Sequence, residues 1–183
     1  MKYWPVPDSF ESVIPKSGTP GAFWEERSDR FNCGVDIYAP EHSVVLSIDG
    51  GVVLDIGVFS SPEDEVYWNR TYYLIIKTKE RINYKYCELR EVSVEIGQKI
   101  EPGVEIGRLG RVLNLQNVVN GVPFYIRELA YSDHPSKLHL ELYKAPIMEV
   151  RPYNVGNYMG ELKPKSILDP NVYLMGIRKH SHF

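Results

Sequence analysis

Short stretches rich in Val, Ile, Leu and Tyr recur along the chain between turn residues, and no long segment has the period of an amphipathic helix. This pattern is typical of antiparallel strands joined by turns. The candidate strands are residues 43–48, 51–58, 71–77, 82–89, 92–94, 104–109 and 138–143. The sequence therefore predicts an all-β fold, a sandwich or a barrel.

The candidate strand 138–143 alternates strictly between leucine and polar residues. Side chains two positions apart on a strand share a face. We therefore expect His139 and Glu141 to point to one side of the sheet, and Leu138, Leu140 and Leu142 to the other.

Glycines are frequent between residues 50 and 110 and fit tight turns, whereas a phosphate-binding loop would need a strand-to-helix transition after it. Residues 111–136 and 153–165 lose the strand pattern, and we expect one of these long loops to form the wall of a groove. The sequence thus predicts a single domain over residues 1–178, with a long loop at 111–136. Residues 179–183 are expected to form a mobile tail with solvated histidines.

Composition narrows the possible partners. Of the 183 residues, 43% are hydrophobic and 25% are charged, which is ordinary for a soluble globular protein. The net charge of −3 and the absence of a basic stripe give no reason to expect nucleic acid or membrane binding. No apolar run resembles a signal peptide or a membrane span, so we expect a cytoplasmic protein. Cys33 and Cys87 are expected to be reduced thiols, although a disulfide between them stays open.

Seven short motifs follow one another along the chain, at residues 3–7, 34–40, 49–53, 86–89, 94–110, 138–142 and 168–174. In this order they resemble the lysostaphin-type zinc metalloendopeptidases, which mostly cut peptide cross-links in bacterial cell walls. Residues 34–40 are similar to that family's Gly-Ile-Asp-Ile-Ala-Ala-Pro segment, and residues 138–142 are similar to its His-Leu-His-Phe-Glu strand. Residues 86–89 stand where the family has Tyr-Ala-His-Leu.

The resemblance implies a fold and a metal site. The fold is an antiparallel β-sandwich of the duplicated hybrid motif kind, with a groove over one sheet. The implied zinc ion is held by two His and one Asp, which leaves a position open for water. Asp36 and His139 match two of these metal ligands. Asn32 occupies the position of the missing His ligand, and a neutral amide is a poor zinc ligand.

The two catalytic histidines of the family are also replaced. Lys137 stands at the general-base position and Glu88 at that of the histidine that stabilises the transition state. A protonated lysine accepts no proton, and its charge competes with a metal ion for the same space. We expect Lys137 to form a salt bridge with Glu88 and also to face Asp36, in place of the metal's charge. The alternative is that both side chains bend into solvent.

The sequence leaves two functions open. One is a non-catalytic binding or scaffolding module with a degraded zinc site, without a cofactor, whose groove takes a peptide or glycan. The alternative is an active zinc metalloendopeptidase of the peptidoglycan cross-link hydrolase type, with Cys33 or His134 as a substitute ligand. Tyrosines that such a groove would use for stacking are Tyr72, Tyr73, Tyr125, Tyr131, Tyr153 and Tyr158.

Overall fold

The computed structural model describes residues 1–11, 13–27, 29–118, 122, 124–132 and 136–177. In this part of the chain it has twelve strands, two short α-helices and a 3-10 helix at Leu115–Asn117. The helices are α1 (Phe124–Ala130) and α2 (Pro170–Leu174). The strands are β1 (Phe31–Asn32), β2 (Val35–Tyr38), β3 (Val44–Leu46), β4 (Gly51–Ser60), β5 (Thr71–Thr78), β6 (Ile82–Val92), β7 (Lys99–Ile100), β8 (Glu105–Leu109), β9 (Lys137–Lys144), β10 (Tyr153–Asn154), β11 (Asn157–Tyr158) and β12 (Ile167–Leu168).

The strand pairings among these elements are antiparallel, so the all-β prediction is confirmed. The large sheet has the order β12-β9-β6-β5-β4-β7, with β2 paired to β9, and β8 paired to β3 and β6. A small sheet has the order β1-β11-β10. Strand β6 pairs with β9 from Ile82 to Cys87 and with β8 from Leu89 onward, so the change of partner falls at Glu88.

The alternation on β9 divides the large sheet into an apolar and a polar face. Leu138, Leu140 and Leu142 are fully buried in the main core. Each stabilises the fold by roughly 2 kcal/mol through the burial of its side chain. His139 and Glu141 share the opposite face, as the alternation predicted, and they also bond to each other. A slip of one residue would exchange the two faces, so the leucines fix the register that places the polar side chains.

The segment predicted as a long loop at 111–136 contains helix α1 and the 3-10 helix. With neighbouring residues it forms a second apolar cluster of Tyr67, Leu113, Ile126 and Ala130. A seven-residue helix spans only two turns, which is too short for its period to stand out in the sequence. No described helix is long and apolar enough to cross a membrane. The predicted tail at 179–183 lies outside the described residues.

Gly34 allows β2 and β9 to approach closely, because an added Cβ there would overlap the main-chain carbonyl of Leu140. We expect Gly34→Ala to lower the free energy of unfolding by about 3 kcal/mol, since backbone must move to relieve the overlap. Gly97→Ala is the control. Its added Cβ meets nothing within 4 Å, and only its positive φ opposes the change, at about 1 kcal/mol. Equal losses in urea denaturation of the two variants would contradict this role of Gly34.

Candidate functional site

Four of the five residues singled out from the sequence meet where β2, β6 and β9 adjoin. Asp36 pairs with His139 across β2 and β9, and Asp36 Oδ1 lies 2.8 Å from His139 Nδ1. Lys137 donates from Nζ to Asp36 Oδ2 at 2.8 Å. Glu88 is the β6 residue after Cys87, whose partner on β9 is His139, and Glu88 Oε1 lies 3.9 Å from Lys137 Nζ.

The expected position of Lys137 between two carboxylates is confirmed. Its side chain is 13% exposed and that of Glu88 is 8% exposed, so the alternative in which both bend into solvent is wrong. The two contacts differ in kind. Lys137 is hydrogen-bonded to Asp36, whereas its distance to Glu88 is that of an ion pair without a hydrogen bond.

The carboxylate of Asp36 is fully buried and is bonded to three cationic groups. Besides Lys137 and His139, the guanidinium of Arg27 lies 3.1 Å from Asp36 Oδ2. Burial alone would raise the pKa of Asp36, but Lys137, the hydrogen bond from His139 and Arg27 together hold it well below its usual range. The carboxylate is therefore ionised at neutral pH. The ionised form of Asp36 is stabilised by cations that the chain itself supplies.

Arg27 was not identified from the sequence, because it lies in an irregular stretch and matches no motif. It donates to Glu25 Oε2 at 2.8 Å and to Asn157 Oδ1 at 3.2 Å as well as to Asp36. One guanidinium thus joins the loop before β1, strand β2 and the β10–β11 hairpin, which are distant in sequence.

Both ring nitrogens of His139 are held by carboxylates. Nδ1 bonds to Asp36, and Nε2 lies 3.0 Å from Glu141 Oε1. Burial disfavours the charged ring, but the hydrogen bonds to Asp36 and Glu141 outweigh it and raise the pKa of His139 to about 9. The side chain is therefore an imidazolium at neutral pH, with each nitrogen donating.

A buried polar cluster continues behind His139. Glu141 accepts a hydrogen bond at 2.6 Å from each of the hydroxyls of Tyr143 and Tyr153, and it pairs with Lys85 at 3.4 Å. Burial raises the pKa of Glu141, but Lys85 and His139 offset this and lower it to about 2. The period of two in 84–86 and 138–142 places these side chains on one face, yet it gave no sign that they would pair.

Asn32 has no side-chain hydrogen bond to the other four residues. It is fully buried, and its Nδ2 donates to the carbonyl of Ala22 at 3.0 Å. Its Oδ1 is buried without a hydrogen-bond partner among the described residues. The side chain predicted at the position of the missing ligand is therefore not bonded to Asp36 or His139.

These residues do not fit a zinc ion. Both ring nitrogens of His139 are already bound to carboxylates, and the Lys137 ammonium is bound to Oδ2 of Asp36, so a metal ion would have to displace these partners. The amide of Asn32 is a poor replacement for imidazole. The described residues contain no group of three His, Cys, Asp or Glu able to hold a metal ion.

Of the two substitute ligands considered from the sequence, Cys33 does not complete the site. Cys33 is a free, buried thiol, and its electrostatic partners are Glu141, Lys85 and Tyr143. Burial raises the pKa of this thiol well above its usual value, which disfavours the thiolate that a metal binds. His134 lies outside the described residues. Cys87 is also a free thiol, so the two cysteines are not joined.

A groove with a volume of about 570 Å³ lies over the site. Its floor includes Lys137, His139 and Glu88, so these side chains border open space. As expected, the two irregular segments form parts of its wall. Among the described side chains, the tyrosines that line it are Tyr38 and Tyr67, and not those named from the sequence. The side chain of Tyr125, one of the tyrosines named from the sequence, lies outside the described residues.

Two residues that line the groove have a backbone conformation that is unusual for their type. Glu88 has a φ of 68°, at the point where β6 changes partner, and Val155 has a φ of 39° at the tip of the β10–β11 hairpin. For a β-branched residue such as Val155 a positive φ is strained. Next to it, Gly156 packs so closely on His139 that an added Cβ would lie 2.7 Å from Nε2. Strain of this kind is frequent at binding sites.

The His139 pKa predicts how stability depends on pH. Because the pKa in the folded state is about 9, above its usual 6.5, this stabilisation is complete below pH 6.5 and is lost as pH rises through 9. We expect the free energy of unfolding to fall between these values by up to about 1.4 kcal/mol per pH unit. Urea denaturation at several pH values measures this slope. His139→Gln should remove it and His42→Gln, at an exposed histidine, should keep it; equal slopes in all three chains would contradict the assignment.

Removal of Lys137 should leave Asp36 short of one buried cation. We expect Lys137→Met to lower the free energy of unfolding by about 3 kcal/mol, because a buried carboxylate loses its closest partner. Lys77→Met, at an exposed lysine of β5, should change it by less than about 0.5 kcal/mol. Thermal and urea unfolding measure both. A loss from Lys137→Met no larger than that of the control would show that Arg27 and His139 suffice for Asp36.

Comparisons with solved structures give the same fold at low sequence identity. The catalytic domain of lysostaphin from Staphylococcus simulans is 17% identical with a TM-score of 0.51, and the match covers 89% of this chain and 92% of that one. A chain of the SpoIIIAH and SpoIIQ complex is 17% identical with a TM-score of 0.54, over 94% of this chain and 99% of that one. These likenesses support the fold alone.

A zinc-containing peptidase from Vibrio cholerae is 18% identical with a TM-score of 0.45. That match covers 77% of this chain, and the chain spans only 37% of that protein's length. No curated protein matches the chain. The model of one family, described as Peptidase family M23, matches residues 30–145, which is more than half of the sequence and includes all five residues of the site. The chain therefore belongs to peptidase family M23.

Proposed function

We propose that this chain is a non-catalytic member of its family, a binding module whose groove holds a peptide or glycan without a metal ion. The observation that carries the proposal is the arrangement around Asp36. The Lys137 ammonium and the His139 imidazolium are bound to its two oxygens, where a metal ion would otherwise bind. Such a site leaves no place for a metal-activated water.

The groove supports a binding role. It keeps a volume of about 570 Å³ above the altered site, and residues of positive φ remain on its lining. Backbone strain persists only where the surrounding structure maintains it, so its presence argues against simple decay of the site. The fold also occurs in a complex of two proteins, that of SpoIIIAH and SpoIIQ. A protein partner that offers an extended segment is consistent with this use of the fold.

Metal analysis tests the proposal against an active zinc metalloendopeptidase. The purified chain is incubated with zinc, dialysed and measured by elemental analysis, next to an Asp36→Ala, His139→Ala double variant. We expect both to retain far less than one zinc ion per chain, because Lys137 and His139 occupy the oxygens of Asp36 in the wild-type chain and the variant lacks both ligands. Lysostaphin serves as the positive control for zinc retention and for cleavage of cell-wall peptides.

Near-stoichiometric zinc that is lost in the double variant would overturn the proposal. Chelator-sensitive cleavage of peptide cross-links by the wild-type chain would do the same. In either case a third ligand would have to come from a rearranged site.

A further inference from the structure

The cations that line the groove are already paired. Each of the three Lys and Arg side chains in its lining has a carboxylate within the described residues, at a distance that makes a strong ion pair. The pairs are Arg27 with Glu25 at 2.8 Å, Arg30 with Asp29 at 2.7 Å and Lys137 with Asp36 at 2.8 Å. A negatively charged ligand would have to displace one of these carboxylates.

Two carboxylates of the lining are in the opposite situation. The side-chain carboxylates of Glu26 and Glu88 accept no hydrogen bond from a described residue. The nearest cation to Glu88 is Lys137 Nζ at 3.9 Å. The Glu88 side chain is 8% exposed and borders the groove, whereas Glu26 lies exposed at the rim. A carboxylate that is largely removed from water is stabilised when a ligand supplies a donor. The groove therefore offers acceptors to a ligand.

The other wall of the groove is apolar. It consists of aliphatic and aromatic side chains of the second apolar cluster and its surroundings. These are Tyr67, Trp68, Val112, Leu113, Ile126 and Leu129. Tyr67 and Trp68 offer aromatic rings that stack on a side chain or on a sugar ring alike. The aliphatic side chains, by contrast, pack well against the apolar side chain of a peptide and offer no hydrogen bonds to sugar hydroxyls. The aliphatic part of the wall therefore favours a peptide.

From this complementarity we propose that the groove binds an extended peptide segment in which an apolar side chain adjoins a cationic nitrogen. The apolar side chain packs on the Leu113–Ile126–Leu129 wall, and the nitrogen donates to Glu88, with Glu26 contributing at the rim. The cationic nitrogen is that of a Lys or Arg side chain or of a free peptide amino terminus, since the same donors and charge serve both. This inference rests on the proposed function, in which the groove is a metal-free binding site.

Selection from a phage-displayed library of random peptides on the immobilised full chain tests the inference without a known ligand. We expect the enriched sequences to carry an apolar residue beside Lys or Arg, or at a free amino terminus. The most enriched peptide is then synthesised with and without an acetylated amino terminus. Loss of binding on acetylation identifies the terminal ammonium as the cation and unchanged binding identifies the side chain, and both results support the proposal.

Variants locate the binding in the groove. We expect Glu88→Gln to weaken binding of the selected peptide by about tenfold or more, because a hydrogen bond between charged groups is lost. Leu129→Ala should also weaken it through the apolar wall. Glu91→Gln, an exposed residue of the same strand, should leave the affinity unchanged. Circular dichroism and thermal unfolding of each variant separate loss of binding from loss of fold.

Enrichment of acidic sequences, or of sequences without Lys or Arg whose binding survives acetylation of the amino terminus, would overturn the inference. So would no enrichment at all, equal affinity of the wild-type and Glu88→Gln chains, or binding to a glycan array by a chain that selects no peptide. These results are distinct from failure of the proposed function, which shows as bound zinc and cleavage. A metal-free chain that selects no peptide contradicts only the peptide specificity.

Discussion

The buried carboxylate of Asp36 is the constraint on which the site depends. A carboxylate without solvent is costly unless cations and hydrogen bonds compensate it, and here three cations from two parts of the chain do so. Lys137 and His139 reach it from β9, and Arg27 reaches it from the loop before β1. Because Arg27 also bonds to Asn157, the compensation of one charge fixes the loop, the strand and the hairpin around the groove.

His139 connects Asp36 to further charged groups inside the protein. Its ring bridges the carboxylates of Asp36 and Glu141, and Glu141 is in turn bound by Lys85 and two tyrosine hydroxyls. The polar face of the sheet is therefore a continuous network of alternating charges. Such a network is stable only when each member is satisfied, so the positions of its members are strongly coupled. A metal ion would have to break several of these bonds to enter.

On the proposed function, the same arrangement explains how the fold keeps its groove without a metal ion. The positive charge that the buried carboxylate of Asp36 requires is supplied by Lys137 and Arg27. The groove walls come from segments outside this network, chiefly residues 112–129 and the β10–β11 hairpin. Different residues thus form the groove walls and compensate the charge beneath them. Lys137 and Glu88 belong to both sets, because they line the groove and also take part in the ion pairs.

The sequence by itself determined the all-β class, the two faces of β9 and the approach of Lys137 to Asp36, because these follow from a period of two and from motifs in a fixed order. Only the tertiary structure decided that Arg27 and Glu141 complete the network and that Asn32 makes no bond to it. It also decided that the wall formed by residues 112–129 is apolar and contains a helix. Contacts between residues far apart in sequence leave no local pattern, and burial, which sets the protonation of His139, exists only once the chain has folded.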